Sequence, residues 1–466
     1  MRLRSKLAVK AAKLSSNLIK KMNRGSGATL PGYVARIIDP TILSTMASMI
    51  AEKNFVVMGT NGKTTTNAIL YEALKAEGYK VIINRTGANM LNGIISAFVL
   101  ATDKDCVLRA DYACIEVDEI ASVRVLPFIK PDYALLTNIA RDQLDRFGEM
   151  EITFQKIKTA FESTPETTLI INCDDVFSYF LATECGNPVV TYGINENVFS
   201  DGSFKERVFC RHCSLELDSE AHSKQSSTSN EVRKPVQLEY DFYHYGQLGF
   251  YHCPVCGFRR PTPNFTATNI VRDNETYSFE IDGLKINSSA KATYNIYNTL
   301  CVVALLKTAD AKTSHLKDTI ENFDYGNNRE GTFTIDGARV QLHLAKNPIG
   351  FQQKISLMLK DNKAKDVIFL INDTYQDGED VSWLWDVDFS QLNEAKTERL
   401  LCAGIRQYDV GLRLKYEEIS CNFVDSLEES IKGLVATGTK NIYLIINYSA
   451  LYRTNALLKK LESSKK

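Results

Sequence analysis

The stretch Met58-Gly59-Thr60-Asn61-Gly62-Lys63-Thr64-Thr65-Thr66 restricts the fold more than any other part of the chain. The apolar run Asn54-Phe55-Val56-Val57 before it reads as a buried strand. After it, Ile69, Leu70, Ala73 and Leu74 recur at helical spacing as far as Gly78, which would end the helix. Strand, glycine loop, Gly-Lys-Thr and helix together build a phosphate-binding loop. Gly59 and Gly62 let backbone N–H groups close around an anion, and the helix N-terminus adds its dipole. Such a loop predicts a nucleotide triphosphate lined by Gly59, Thr60, Asn61, Gly62, Lys63, Thr64 and Thr65. Lys63 would reach the β- and γ-phosphates, and the Thr64 hydroxyl would serve Mg²⁺. The loop is a short form, because the first glycine of the eight-residue motif would fall at Val57. The bland alternative is a glycine turn that happens to precede Lys-Thr, and the strand and helix on either side weigh against it.

A mainly parallel, doubly wound sheet is predicted around this loop. Short apolar runs at 80–84, 112–116, 133–137, 168–172 and 188–191 alternate with stretches of helical period such as 152–162. Ligands of such sheets sit beyond the strand C-termini, so the polar residues there are the candidates for chemistry. One strand is followed by Glu116-Val117-Asp118-Glu119 and the next by Thr137-Asn138-Ile139-Ala140-Arg141-Asp142-Gln143. A carboxylate such as Glu116 or Asp142, at a strand tip across from a phosphate loop, is placed to hold Mg²⁺. Taken singly, each also reads as a solvated loop acid.

Between about 200 and 262 the alternation stops. Cys210-Arg211-His212-Cys213 and Cys253-Pro254-Val255-Cys256 bracket a Ser-, Lys- and Glu-rich stretch and a tyrosine-rich one. Two Cys-x-x-Cys knuckles supply four thiolates to a tetrahedral Zn²⁺, which predicts an inserted structural zinc ribbon. A dithiol redox pair and four unrelated thiols are the alternatives. His212 and His252 adjoin the knuckles and are expected in an outer shell or facing solvent. Cys114, Cys173, Cys301 and Cys402 lie in apolar segments and read as buried thiols of a reducing compartment.

From about 325 a smaller Rossmann-like α/β unit is predicted, with strands near 340–344, 366–371, 400–403 and 441–446. Both tryptophans of the chain, Trp383 and Trp385, fall in one acid-rich segment that contains Asp373, Asp377, Glu379, Asp380 and Asp386. At least one of the two is expected in the core. The formal net charge of −1 argues against nucleic acid as the main partner. No run of 18 apolar residues is present, and residues 1–14 lack the pattern of a secretory signal. The N-terminal stretch reads as a basic amphipathic helix with Leu3, Leu7, Ala11, Leu14 and Leu18 on one side. It would either touch an anionic membrane surface or pack on the first domain with its lysines solvated.

The glycine loop, the strand-tip glutamate, Thr137-Asn138-Ile139 with the following Asp142, Asn172-Cys173-Asp174-Asp175 and Tyr294-Asn295-Ile296-Tyr297-Asn298 together resemble the Mur ligase central domain. The resemblance implies that Lys63 and Thr64 serve phosphates and Mg²⁺, Glu116 a metal, and Asn295 or Asn298 the adenine. Gln143 stands where ordinary Mur ligases carry a histidine near a second metal, and Gly326-Asn327-Asn328-Arg329-Glu330 resembles the family's Gly-Arg-x-Glu linker with different spacing. In the third unit Ala345-Lys346-Asn347-Pro348 replaces the family's amino-acid-binding Asp-x-Ala-His-Asn-Pro.

With the four-cysteine insertion and the Asp-Gly-x-Asp-x-Ser-Trp segment, the chain resembles the MurT family. That family works with GatD, a glutamine amidotransferase subunit, and amidates the D-glutamate α-carboxyl of the lipid II stem peptide. The resemblance implies ATP, Mg²⁺ and Zn²⁺ as cofactors and a cytoplasmic location at the inner face of the membrane. It also implies domains at 1–40, 41–325 (with the insertion at 200–262) and 326–466, and Asp380 as an acid lent to the partner's catalytic triad. Against this, Asp380 reads on its own as a cap of a turn around Val381–Leu384. An autonomous amino-acid ligase of Mur or folylpolyglutamate type, and a P-loop ATPase with an adaptor ribbon, are the competing functions. The altered third-unit motif argues against the first, and the near-zero charge against the second.

Overall fold

The structure is a computed structural model. It describes residues 1–21, 28–84, 87–140, 150–197, 207–213, 235–273, 276–290, 292–325, 330–374, 377–394 and 397–463. Asp142, Gln143, the polar stretch 218–234 and the linker residues 326–329 lie outside them. The chain divides into two compact units, one of Met1–Ala140, Glu151–Ser200 and Lys205–Tyr325, the other holding Gly326–Lys466.

The first unit is built on a nine-stranded sheet. Six strands appear first in sequence: β1 (Lys53–Met58), β2 (Val81–Ile83), β3 (Tyr112–Glu116), β4 (Tyr133–Leu136), β5 (Thr168–Asn172) and β6 (Val189–Ile194). A separate two-stranded hairpin follows, β7 (Glu239–Tyr245) and β8 (Leu248–His252), and then β9 (Phe265–Asp273), β10 (Thr276–Ile281) and β11 (Leu284–Ser288). The spatial order is β11-β10-β9-β6-β5-β4-β1-β3-β2. All pairings from β2 through to β9 are parallel, and only β9-β10-β11 run antiparallel.

The near-continuous apolar character of β1, β3, β4 and β5 reflects this placement, since helices cover both faces of a parallel sheet. The helix Tyr294–Thr308 is buried from Asn295 to Leu306, as its apolar sequence on every side requires. It packs with Phe55, Val57, Leu70 and Leu135 in one core. Because β4 and β3 flank β1 on opposite sides, chain order reverses there, and the crevice beyond the C-terminal end of β1 is the switch point where such sheets take ligands.

Ahead of the sheet lie α1 (Leu3–Lys21), α2 (Leu30–Ile38) and α3 (Ile42–Ala47), and α4 (Lys63–Ala76) and α5 (Leu91–Leu100) follow β1 and β2. The amphipathic α1 does pack on the first unit, against α2 and α5, but through the side opposite its leucines. Close helix approach favours the small residues Ser5, Ala8 and Ala12 over the leucine stripe.

The second unit has a six-stranded sheet. Its strands are β12 (Glu330–Ile335), β13 (Ala338–Leu344), β14 (Lys365–Leu370), β15 (Thr397–Ala403), β16 (Asn422–Val424) and β17 (Asn441–Ile446). They are ordered β12-β13-β17-β14-β15-β16 and are parallel except at β12. Trp383 belongs to its core, whereas Trp385 is half exposed beside Tyr416 and Arg413.

Candidate active site

Gly59 and Gly62 are required by space as well as by conformation. Their φ angles are +119° and +89°. A Cβ at 59 would meet Thr137 Oγ1 at 2.2 Å, and one at 62 would meet Asn298 Oδ1 at 2.4 Å. The loop is therefore gripped from two sides. On one, Thr60 N–H donates to Asn138 O (2.8 Å), Asn61 N–H to Asn138 Oδ1 (3.1 Å) and Thr137 Oγ1 to Asn61 O (2.6 Å). On the other, Asn298 Oδ1 accepts from Thr66 Oγ1 at 3.3 Å while its Nδ2 donates to Asn295 Oδ1 at 3.0 Å. Asn298 thus reaches the loop from more than 200 residues away, with Asn295 behind it, and Thr65 sits partly buried in the first turn of α4.

Lys63 is buried and folded back. Its Nζ donates to Gly59 O and, at 2.8 Å, to Glu119 Oε1. Desolvation works against its charge, but Glu119 and Glu116 outweigh that and hold the ammonium above its ordinary pKa. Burial pushes the Glu119 carboxyl up, with Asp118 adding to it, and Lys63 offsets only part. Glu119 is the counter-ion of Lys63.

Thr64 Oγ1 donates to Glu116 Oε2 at 2.8 Å, and Asn89 Nδ2 donates to Glu116 Oε1 at 3.1 Å. Neighbouring oxygens of an octahedral Mg²⁺ lie about 2.9 Å apart, given Mg–O distances near 2.1 Å. Thr64 and Glu116 could therefore hold that ion between them.

The four cysteine sulfurs all lie within 4.8 Å of one another, with Cys210–Cys256 at 3.5 Å and Cys213–Cys253 at 3.8 Å. Tetrahedral Zn–S bonds of about 2.3 Å predict sulfurs about 3.8 Å apart, far beyond a disulfide, so the cluster can hold zinc. Cys256 N–H points at Cys253 Sγ at 3.5 Å. The His212 ring instead meets Phe180 and Phe258 edge-on, and His252 faces Glu239.

Several residues that sequence reasoning did not assign tie this insertion to the loop. Gln247, in the turn between β7 and β8, is fully buried and donates to both Asp175 Oδ1 and Ile139 O. Asp175 Oδ2 accepts from Ile139 N–H, two residues beyond Thr137, and from Ser178. Burial pushes this carboxyl up to about 6, its hydrogen bonds resisting the rise. Its neighbour Asp174 pairs with Arg260 Nε at 2.6 Å and accepts from the Tyr297 hydroxyl at 2.7 Å. Asn172-Cys173-Asp174-Asp175 had marked this spot, but the partners Arg260 and Gln247 left no local signal, being brought in by the insertion.

In the second unit Asp380 is partly exposed, and its Oδ1 accepts from Ser382 N–H at 2.7 Å; the Ser382 hydroxyl first, and then this N–H, hold the carboxyl below its ordinary pKa. That bond starts a short 3₁₀ turn, Ser382–Asp386. Asp377 is buried, accepting from Thr374 Oγ1 and Ser449 N–H, both at 2.8 Å. Asn347 caps the helix Pro348–Leu359 through Gly350 N–H, so its amide is structural. Tyr375 and Gln376 of this segment lie outside the described residues.

Residues 57–231 match the Mur ligase middle domain and residues 344–451 the MurT ligase C-terminal family. The chain is 30% identical to the lipid II isoglutaminyl synthase (glutamine-hydrolyzing) subunit MurT of Streptococcus pneumoniae, over 98% of both chains. It is also 30% identical to the MurT subunit of Staphylococcus aureus, over 88% of each. Among solved structures it resembles a pseudomurein peptide ligase type C from Methanothermus fervidus (TM-score 0.65, 20% identity, 88% of this chain and 79% of that one). It also resembles MurF from Thermotoga maritima in complex with ADP (TM-score 0.60, 12% identity, 92% and 84%). With matching models in both units and a relative spanning almost its whole length, the chain belongs to the MurT family of ATP-dependent Mur-type ligases.

Proposed function

We propose that this chain activates the α-carboxyl of D-glutamate in the lipid II stem peptide and amidates it with ammonia made by a GatD-like glutaminase subunit. A carboxylate oxygen attacks the γ-phosphorus of ATP, the bond to the ADP oxygen breaks, and an acyl phosphate forms. Ammonia then attacks the acyl carbon and phosphate leaves, giving amide, ADP and phosphate. Lys63 would leave Glu119 for the phosphates, while Thr64 and Glu116 hold Mg²⁺, which supplies charge neutralisation at the transferring group. Positioning and electrostatics of this kind are most of what phosphoryl transfer needs.

The observation that carries the ammonia-dependent reading is the state of the cysteines. Of the eleven, nine are buried, Cys421 is partly so, and the exposed Cys256 belongs to the four-sulfur cluster. A glutaminase nucleophile has to be accessible and activated, so a relative of a glutamine-hydrolysing enzyme with these cysteines would take its thiol from another chain. Both curated relatives are named as subunits. We further assign Zn²⁺ to Cys210, Cys213, Cys253 and Cys256 as a structural ion and Asn295 or Asn298 to the adenine. Asp380 is the acid offered to the partner's Cys-His pair. The working domains are 41–325 and 326–466, on the cytoplasmic face of the membrane where a lipid-linked substrate is presented. No described helix is long and apolar enough to span that membrane.

The test is to incubate the purified chain with lipid II, ATP and either ammonium or glutamine, and follow the mass of the stem peptide. Conversion with ammonium alone, and with glutamine only when the partner is added, is expected. Conversion by the chain alone with a free amino acid, or none with ammonium, would refute the reading.

A further inference from the structure

The hairpin of α1 and α2 packs through its small residues and leaves its large ones in water. On α1, Ser5, Ala8, Val9, Ala12 and Ser16 are buried, while Leu3, Leu7, Leu14 and Leu18 are exposed. On α2, Pro31, Gly32 and Ala35 are buried, and Leu30, Tyr33 and Ile37 are exposed. These outward side chains keep between 44% and 77% of their surface accessible, so each helix presents several large apolar groups to its surroundings. In helical projection the four leucines fall within about 60° of one another, opposite the packed face.

Their direction is fixed. A Cβ at Gly32 would meet Asn92 O of α5 at 1.8 Å, so α2 cannot turn without losing its seat. On α1, Ser5 Oγ donates to Asp39 at 2.6 Å and Lys13 Nζ to Asp103 O at 2.8 Å.

Charge identifies the occupant. Residues 1–38 contain nine lysines and arginines and no acid, although the whole chain has a net charge of −1. Arg2, Lys6 and Lys10 are exposed beside the leucines. Exposed leucines with long cationic side chains alongside suit the bilayer boundary, where apolar groups enter the acyl region and ammonium groups stay with lipid phosphates.

We propose that the outer face of α1 and α2 docks on an anionic lipid bilayer, Leu7, Leu14, Tyr33 and Ile37 entering the headgroup boundary and Arg2, Lys6 and Lys10 meeting lipid phosphates. This deepens, and rests on, the placement at the membrane proposed above by naming the surface responsible.

Flotation of the full chain with vesicles of phosphatidylcholine, with and without phosphatidylglycerol, tests it. Binding to the anionic vesicles is expected, weakening with added salt. Leu7→Glu/Leu14→Glu and, separately, Lys6→Gln/Lys10→Gln should each lower it by about tenfold or more with unchanged thermal melting. Equal flotation on neutral vesicles, no flotation, or retained flotation of both variants overturns the proposal. So does a finding by light scattering that Leu7→Glu/Leu14→Glu dissociates a self-associated state, which would make the face a protein interface. Amidation of a water-soluble stem peptide with ammonium separates the two readings. It should be the same in wild type and variants, and its absence in wild type would count against the function and leave the flotation result standing.

Discussion

The nucleotide loop and the acidic tryptophan segment both carry carboxylates assigned to chemistry, yet they are built on opposite plans. Around the loop, Lys63, Glu116, Asp118 and Glu119 are all buried, and each described carboxylate there is matched by a cation, an amide or a hydroxyl of the same unit. Asp380 is partly exposed and held by the Ser382 backbone. The buried network draws its partners from its own unit but leaves Glu119 Oε2 without a hydrogen bond, and a phosphate would enter by exchanging for Glu119. A partly exposed acid oriented by its neighbour could offer its charge to a group from outside its own unit. Under the proposed function, ATP chemistry would be done in one unit and glutamine hydrolysis assisted from the other.

The largest effect should come from Lys63. Lys63→Ala is expected to lower ATP-dependent amidation by about 10²–10³-fold, with ammonium and glutamine alike. The single variant leaves Glu119 buried without its cation, at a cost of about 3–5 kcal/mol unless the carboxyl takes up a proton. Lys63→Met with Glu119→Gln should recover the melting temperature but not the activity. Activity within a few-fold of wild type would remove the loop from the mechanism.

Asp380→Asn should break the symmetry between the two nitrogen sources. We expect about a 10²-fold loss or more with glutamine, by analogy with acids that orient a catalytic histidine, and near wild-type rates with ammonium. Equal losses with both would mean that Asp380 serves only the 3₁₀ turn or belongs to the ligase site.

Cys210→Ser should lose bound zinc and lower the melting temperature by about 5–10 °C, because metal binding is folding energy for the insertion. Elemental analysis of the wild-type chain should give one zinc per molecule. Through Gln247 and Asp175 the same variant should raise the KM for ATP, while leaving an Asp380-dependent step of the partner untouched.

The smallest effect is on pH dependence. Asp175 has a folded-state pKa of about 6 against 3.8 for an ordinary aspartate. Between those values the folded state holds more protons than the unfolded one, so this group's contribution to stability declines as pH rises from about 4 to 6. The loss is at most about 3 kcal/mol. Thermal melts of Asp175→Asn and wild type should therefore diverge over that range in favour of the variant. Parallel curves would show that the carboxyl stays ionised in the fold.

Much of the first unit could be read directly. Glycine at 59 and 62, apolar β1 and the period of α4 are local signals, and backbone geometry acts locally. The knuckles at 210–213 and 253–256 were equally legible, since two residues between cysteines fix the loop that presents them. Asn298 was marked by resemblance alone, and its contact with Gly62 was not visible in the residues around it.

The sequence by itself determined the strand–loop–helix unit, the four-sulfur cluster and the amphipathic character of α1, because each depends on spacings of a few residues. Only the tertiary structure decided that Lys63 pairs with Glu119 and that Gln247 links the insertion to the loop. It also decided that α1 turns its leucines outward. These outcomes depend on which surfaces can approach closely. Ser5, Ala8 and Ala12 let α1 lie close against its neighbours, and a periodicity that marks an apolar stripe cannot say whether protein or another medium will cover it.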